Sequence, residues 1–236
     1  MKAFQFLGVL LFALGLTSSH AESSSGFVIG WGSNVSGEAT GVPSPETYYA
    51  TGVVTMAGHV LSNVVAVSAS DSHSLALCND GTVVGFGGNF LGMAVGFTNA
   101  YPYRIIEQVR LDGRVLSNVV SIVASREFCL ALKKNGTVVT WGENYIPDGL
   151  TNIAAIAAEW SCSWALRRDG TVAGWVNKSS WRDYGQLLQV GNLSNVVAIA
   201  VGPGGNSTRG VALRSDGTVV HWGGKRITRM PPRPLV

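Results

Sequence analysis

The chain has 236 residues, a formal net charge of +3 and only 13% charged side chains against 46% hydrophobic ones. So weak a charge excludes the basic stripe that nucleic-acid binding needs, while the length suits one domain with a sizeable core. Its 30 glycines fit many short strands joined by tight turns.

Residues 1–21 read as a signal peptide. Lys2 supplies a positive start, Phe4–Leu16 is an apolar run of the right length, and Ser19-His20-Ala21 places small residues where a signal peptidase cuts. Cleavage is expected before Glu22. The run is shorter than the roughly 20 apolar residues of a membrane helix, so no span is expected after cleavage. The mature chain is expected to be secreted, periplasmic or on the cell surface. Losing Lys2, the one charged residue among 1–21, lowers the net charge from +3 to +2. Cys78, Cys129 and Cys162 allow at most one internal disulfide. They sit at different places within the repeat described next, so they read as small buried hydrophobes.

Residues 22–224 read as a repeat domain. The stretch Asn118–Gly142, NVVSIVASREFCLALKKNGTVVTWG, is written again at Asn63–Gly87, Asn152–Val176 and Asn195–Gly223, and its last phrase alone at Phe27–Gly32. Strand one is expected at Val64–Ser68, Val119–Val123, Ile153–Ala157 and Val196–Ala200. Strand two is expected at His73–Leu77, Phe128–Leu132, Ser163–Leu166 and Gly210–Leu213. Asp80-Gly81, Asn135-Gly136, Asp169-Gly170 and Asp216-Gly217 then read as two-residue hairpin turns. Strand three follows at Thr82–Phe86, Thr137–Trp141, Thr171–Trp175 and Thr218–Trp222. Strands one and two are apolar or small on both faces, which predicts that both faces are covered.

Unit length separates the repeat architectures. Trp31, Phe86, Trp141, Trp175 and Trp222 are 55, 55, 34 and 47 residues apart. A β-solenoid keeps a constant rung, whereas propeller blades tolerate variable outer segments. The fold class is therefore all-β, a propeller-like array of about four antiparallel blades. The segments after Trp31 and Phe86 end alike, in Gly58–Asn63 and Gly113–Asn118, and carry Tyr48 and Tyr103 at one offset. They predict an outer fourth strand and a short hairpin leading back inward. The tail, residues 225–236, is basic and proline-rich, and is expected to be extended.

The pattern N-V-V-x-[IV]-x-[AS]…[SC]-L-A-L-x-x-[DN]-G-T-V-V-x-W-G-x-N resembles the regulator-of-chromosome-condensation (RCC1) repeat family in its secreted bacterial form. Trp31-Gly32-Ser33-Asn34 and Trp141-Gly142-Glu143-Asn144 resemble its W-G-x-N element, and Asp183-Tyr184-Gly185-Gln186 its x-x-G-Q element. The resemblance implies a propeller of four-stranded blades, seven in the best-known members, which include a nuclear guanine-nucleotide exchange factor and an exported inhibitor of β-lactamases. This chain departs from that pattern. It has four strand one–two pairs against five copies of strand three, and the repeat's His stands only at His73, where Phe128, Cys162 and Arg209 take the matching places. The connector Asn177–Gln189, with Trp181, is irregular.

No G-x-S-x-G, H-E-x-x-H, C-x-x-C or phosphate-loop pattern is present. Asp71-Ser72-His73-Ser74 lacks the convergent geometry of a triad, and His73 reads as a structural hydrogen-bonding residue. Gly202–Ser207 reads as a longer strand one–two loop. The sequons at Asn34, Asn135, Asn177, Asn192 and Asn206 are discounted, because the resemblance points to a bacterial source. No catalytic residue, metal site or cofactor is expected.

The sequence thus points to an exported, non-catalytic binding or scaffold module. The alternatives are an extracytoplasmic enzyme with an unrecognised site, or a truncated fragment of a longer repeat protein. In a meandering blade all strand one–two loops emerge on one side. That gathers Asp71, Arg126, Glu127, Glu159, Trp160, Asn206 and Arg209 into a candidate binding face for a protein or cell-surface ligand. Trp160 is either the anchor of that face or a plug on the axis. Trp141, Trp175 and Trp222 read as blade-to-blade packing residues. Phe27–Gly32 is a strand three without its own strands one and two, so the lone chain is expected to form an open arc that exposes an apolar face at each end and is prone to self-association. A tight four-bladed ring, with Ala66, Ala155 and Ala198 near the axis, is the rival.

Overall fold

The computed structural model describes residues 26–43, 49–98, 105–176, 190, 192–202 and 209–223. The leader, Tyr48, Tyr103, the connector at 177–189 with Trp181 and the x-x-G-Q element, the sequons at Asn177 and Asn206, and the tail lie outside them.

The chain opens with β1 (Ile29–Ser33), paired antiparallel with β2 (Tyr49–Val53). A small hairpin of β3 (Thr55–Met56) and β4 (His59–Val60) leads inward. The first full sheet is β5 (Val64–Ala69), β6 (His73–Cys78), β7 (Val83–Gly87) and β8 (Ile105–Gln108), in that order and antiparallel throughout. A second inward hairpin, β9 (Arg110–Leu111) and β10 (Arg114–Val115), follows. Three-stranded sheets complete the array: β11 (Val119–Ala124), β12 (Phe128–Lys133) and β13 (Val138–Gly142); β14 (Ile153–Glu159), β15 (Cys162–Arg167) and β16 (Val172–Val176); β17 (Val196–Gly202), β18 (Arg209–Arg214) and β19 (Val219–Gly223). The outer fourth strand and its hairpin occur where the sequence placed them, after Trp31 and Phe86.

The turns differ from expectation. Gly81 N–H donates to Cys78 O at 2.9 Å and Cys78 N–H to Thr82 O at 2.9 Å. Gly81 alone within the turn has positive φ, at 81°. The loop is therefore three residues long, a type I turn closed by a left-handed glycine, rather than two. Strand three begins at Val83, just after Thr82, which closes the loop opposite Cys78 and whose N–H and hydroxyl both donate to Asp80 Oδ1, at 2.8 and 2.7 Å. Thr137, Thr171 and Thr218 repeat these contacts on Asn135, Asp169 and Asp216.

The asparagine that begins each repeat is a staple. Asn63, Asn118, Asn152 and Asn195 have φ of 58°, 58°, 59° and 56°, a left-handed conformation that asparagine tolerates. Their carbonyls accept the N–H of Asn79, Lys134, Arg168 and Ser215 in the turn of the same sheet. One residue on, Val119, Ile153 and Val196 donate to the carbonyls of Gly81, Gly136 and Gly170 in the preceding sheet, at 3.0, 3.1 and 3.0 Å. Each N-V or N-I step thus ties two turns together.

Consecutive sheets pack through apolar rows. Leu75, Leu77 and Val83 meet Val119, Ile122, Cys129, Ala131 and Trp141. Leu130, Leu132 and Val138 meet Ile153, Ile156, Ala165 and Trp175. Trp164, Leu166 and Val172 meet Val196, Ala212 and Trp222, with the Trp164 and Trp222 rings tilted at a centroid separation of 6.1 Å. The β1–β2 unit caps the first sheet through Val28, Val54 and Leu61 on Ala76, Val84 and Phe86. Trp141, Trp175 and Trp222 are buried blade-to-blade contacts, as the sequence implied.

Strand one departs from the expectation that both faces are covered. Strand two is buried along nearly its whole length in the first three full sheets, but Val65, Val120, Ala154 and Val197 are exposed. Strand one is the free inner edge of each sheet, so its second side chain has no sheet opposite. None of the three cysteines is in a disulfide; Cys129 and Cys162 are buried and Cys78 is half-buried. Among the described residues, substantial packing joins only consecutive sheets. The array is open.

Candidate binding face

The strand one–two loops are tight. Ser70 N–H donates to His73 O and Ser125 N–H to Phe128 O, each at 2.9 Å, and Glu159 pairs with Cys162. Each loop therefore has two free positions, and the first holds Asp71, Arg126 and Trp160 in three consecutive sheets. These side chains touch in sequence. Arg126 Nε lies 3.6 Å from Asp71 Oδ2, and the Arg126 guanidinium sits 4.7 Å from the Trp160 ring centroid. Both members of the ion pair are exposed, so it contributes about 0–1 kcal/mol, with a similar amount from the cation–π contact. The result is a carboxylate–guanidinium–indole row across three sheets that holds surface side chains in defined places.

Trp160 is 44% exposed and has φ of 55°, unusual for an aromatic residue. Ser125 Oγ donates to its carbonyl at 3.0 Å, fixing this strained loop against the neighbouring one. Glu159, half-buried, stands where the other loops have Ser70 and Ser125. Burial first, and the Asp71 charge second, push its carboxyl above the usual range. Glu127 is exposed beside Arg126 and contributes its backbone carbonyl to Glu143 N–H at 2.9 Å. Arg209 begins β18, while Asn206 falls outside the described residues. Of the seven residues the sequence singled out, the structure brings Asp71, Arg126 and Trp160 into contact, with Glu159 close enough to Asp71 to feel its charge.

Beneath the row lies a polar chain that sequence reasoning reached only at His73. Ser70 Oγ is 3.0 Å from His73 Nδ1, His73 Nε2 is 3.1 Å from Cys129 Sγ, and Cys129 Sγ–H donates to Met93 O at 3.1 Å. With the thiol hydrogen committed to Met93, Sγ accepts from Nε2–H, and Nδ1 accepts from the Ser70 hydroxyl. Every group is satisfied with the imidazole neutral. Burial accordingly lowers the His73 pKa to about 4 and pushes the Cys129 thiol well up. A thiol held protonated is no nucleophile. The chain is a structural tie between the first two full sheets and the loop carrying Met93.

The W-G-x-N asparagine proves to be a loop organiser. Asn34 Oδ1 accepts the N–H of Ala39 and Thr40, each at 3.0 Å, and its Nδ2 donates to Val42 O at 2.8 Å. Asn89 does the same with Ala94, Val95 and Phe97. The folded loops lay the carbonyls of Ala39 and Ala94 where a Cβ on Gly30 or Gly85 would stand, so strand three needs glycine there. Asn34 is fully buried and occupied at both ends of its amide.

At the opposite, turn end is a cavity of about 390 Å³ lined in part by Met56, His59, Asn63, Cys78, Asp80 and Gln108. Among the described residues, no three His, Cys, Asp or Glu side chains converge as a metal site, and no helix is long and apolar enough to cross a membrane.

The comparisons with known proteins agree with this geometry. The family model described as the regulator of chromosome condensation (RCC1) repeat matches residues 64–92 and 119–145, the first two full sheets up to the loop after strand three. No curated protein matches the sequence. The crystal structure of human WBSCR16 superposes with a TM-score of 0.62 at 21% identity, over 83% of this chain and 56% of that one. Prp20p from Saccharomyces cerevisiae gives 0.61 at 18% identity, over 84% and 53%. Yeast RCC1 (Prp20) with Kap60 gives 0.54 at 17% identity, over 75% and 46%. The chain spans about half the length of these solved structures. Its antiparallel sheets are arranged as propeller blades like those of these structures, the first two full sheets match the RCC1 repeat model, and among the described residues the array is open.

Proposed function

We propose that the protein is an exported, non-catalytic binding module that uses its strand one–two loops to hold a protein or cell-surface ligand. The observation carrying this reading is the Asp71–Arg126–Trp160 row. Three consecutive repeats place different, chemically complementary side chains at one loop position, where packing demands none of them. A half-exposed indole whose ring is held by a guanidinium is a preorganised contact, and Trp and Arg dominate binding hot spots. Protein binding also accompanies the fold in its structural neighbours: yeast RCC1 (Prp20) is bound to Kap60, and Prp20p has binding properties toward Gsp1p and histones.

The test compares Trp160→Ala and Asp71→Ala with Asp169→Ala at the turn end. The loop variants are expected to reduce recovery of a bound partner, by on the order of tenfold or more for Trp160→Ala, with the turn variant unaffected. A Trp160→Ala chain that keeps every interaction but melts earlier assigns Trp160 to packing instead.

Export rests on the leader-like residues 1–21. Amino-terminal sequencing of protein recovered outside the cytoplasm is expected to begin at Glu22. An intact Met1 on cytoplasmic protein refutes export.

A further inference from the structure

The sheet-to-sheet interfaces obey one positional rule, and both ends of the array break it. Each following face is built from two strand-two residues and the first strand-three residue: Leu75, Leu77 and Val83; Leu130, Leu132 and Val138; Trp164, Leu166 and Val172. All nine are buried by the next sheet. The same positions in the last sheet are Val211, Leu213 and Val219, which are 42%, 39% and 61% exposed. Backbone geometry marks the same end. The turn glycines Gly81, Gly136 and Gly170 each have the next repeat's backbone 3.2–3.3 Å from where a Cβ would stand, whereas Gly217 has nothing within 4 Å.

At the other end, the strand-three aromatic of every full sheet faces backward and is buried: Phe86, Trp141, Trp175 and Trp222. Trp31 holds that place in β1 and is 58% exposed, flanked by exposed Phe27 and Ile29. Ile29 stands at the position of Val84 in the first full sheet.

We propose that these two faces mate between copies, the β1 face of one chain covering the β18–β19 face of another, so that the protein assembles head to tail. The occupant is argued from the three internal interfaces, in which the row exposed on the last sheet is covered in part by the aromatic row of which Trp31 is a further member. The β1–β2 unit already caps one sheet with its opposite side, through Val28 and Val54, so a strand pair without strands one and two is sufficient cover. Such an interface joins unlike patches, and gives a closed ring if the rotation closes or a filament if it does not.

The test is light scattering on the purified chain across the micromolar range, with Trp31→Glu and Leu213→Glu variants. The wild type is expected to show a molar mass at least twice that of one chain. Each variant alone is expected to be monomeric, since every copy then lacks one of the two faces. Mixing them restores one intact interface per pair, and a 1:1 dimer is expected. Both residues are exposed in the lone chain; should either variant fail to give the wild-type circular dichroism spectrum, Ile29→Lys and Val219→Lys replace it. The proposal is overturned by a monomeric wild type, as when these faces serve further blades of a longer polypeptide. Self-association of a single variant, which means like faces pair, or a mixture that stays monomeric overturns it equally.

Discussion

Replacing Trp141 by alanine is expected to destabilise the chain by about 3–5 kcal/mol, the usual cost of emptying a buried aromatic site. Trp141 sits in the interface between the first two full sheets, against Leu75, Leu77 and Val83, so the loss falls on a joint of the array as well as on one sheet. Trp141→Phe is expected to cost far less. The first full sheet carries Phe86 at the same position, equally buried, and the Trp141 indole N–H has no hydrogen-bond partner to forfeit. Urea unfolding of the three proteins separates the cases. An unchanged midpoint for Trp141→Ala defeats the packing role, and a Phe variant as unstable as the Ala variant shows that the indole nitrogen matters after all.

The blades were legible because their signals are local. Strands two and three alternate around a turn whose glycine must be left-handed, and the closing aromatic keeps one offset from that turn in every copy. The turn type was misread because Asp-Gly and Asn-Gly also fit a two-residue hairpin. What decides is Thr82 and its counterparts, whose hydroxyl and N–H converge on the preceding carboxylate or amide while the carbonyl closes a three-residue loop. The exposed side of strand one was missed for a different reason. Val65 and Val120 are apolar, and apolarity alone does not say whether another sheet lies opposite.

The binding face was only half legible. Loop position is a sequence property, and aligning the repeats on the start of strand two puts Asp71, Arg126 and Trp160 in register. Their contacts are not, because side chains 55 and 34 residues apart meet only once the sheets have stacked. The His73–Cys129 link has the same character. Sequence marked His73 as a hydrogen-bonding residue but offered no partner, since Cys129 belongs to the neighbouring sheet and matches Ser74 rather than His73 in the repeat. The packing aromatics between repeats were readable from their fixed offset, but the polar contacts between repeats were not, because their partners meet only once the sheets have stacked.

Lowering the pH from about 6.5 to 4 is expected to remove roughly 3 kcal/mol of stability through His73 alone. The folded protein binds this proton only near pH 4, because the imidazole is buried and its hydrogen bonds to Ser70 and Cys129 are complete in the neutral form. The unfolded chain binds it near 6.5. Between those values the unfolded state holds more protons, so stability falls as pH falls, and the full contribution is present above 6.5. Asp80, Asp169 and Asp216 act in the same direction but lower: the Thr82, Thr171 and Thr218 hydroxyls first, and then the backbone N–H groups, hold their carboxyls below the usual range. Glu159, raised by burial, acts oppositely near the carboxylate range. A His73→Phe variant isolates the effect, since the second full sheet holds buried Phe128 at the matching place. That variant is expected to lose the slope between pH 6.5 and 4 while keeping whatever acid sensitivity the carboxylates confer. Chemical denaturation at several pH values measures both curves. Parallel slopes for wild type and variant would show that His73 is already protonated in the folded chain, and that the Ser70–His73–Cys129 chain is not ordered as the geometry requires.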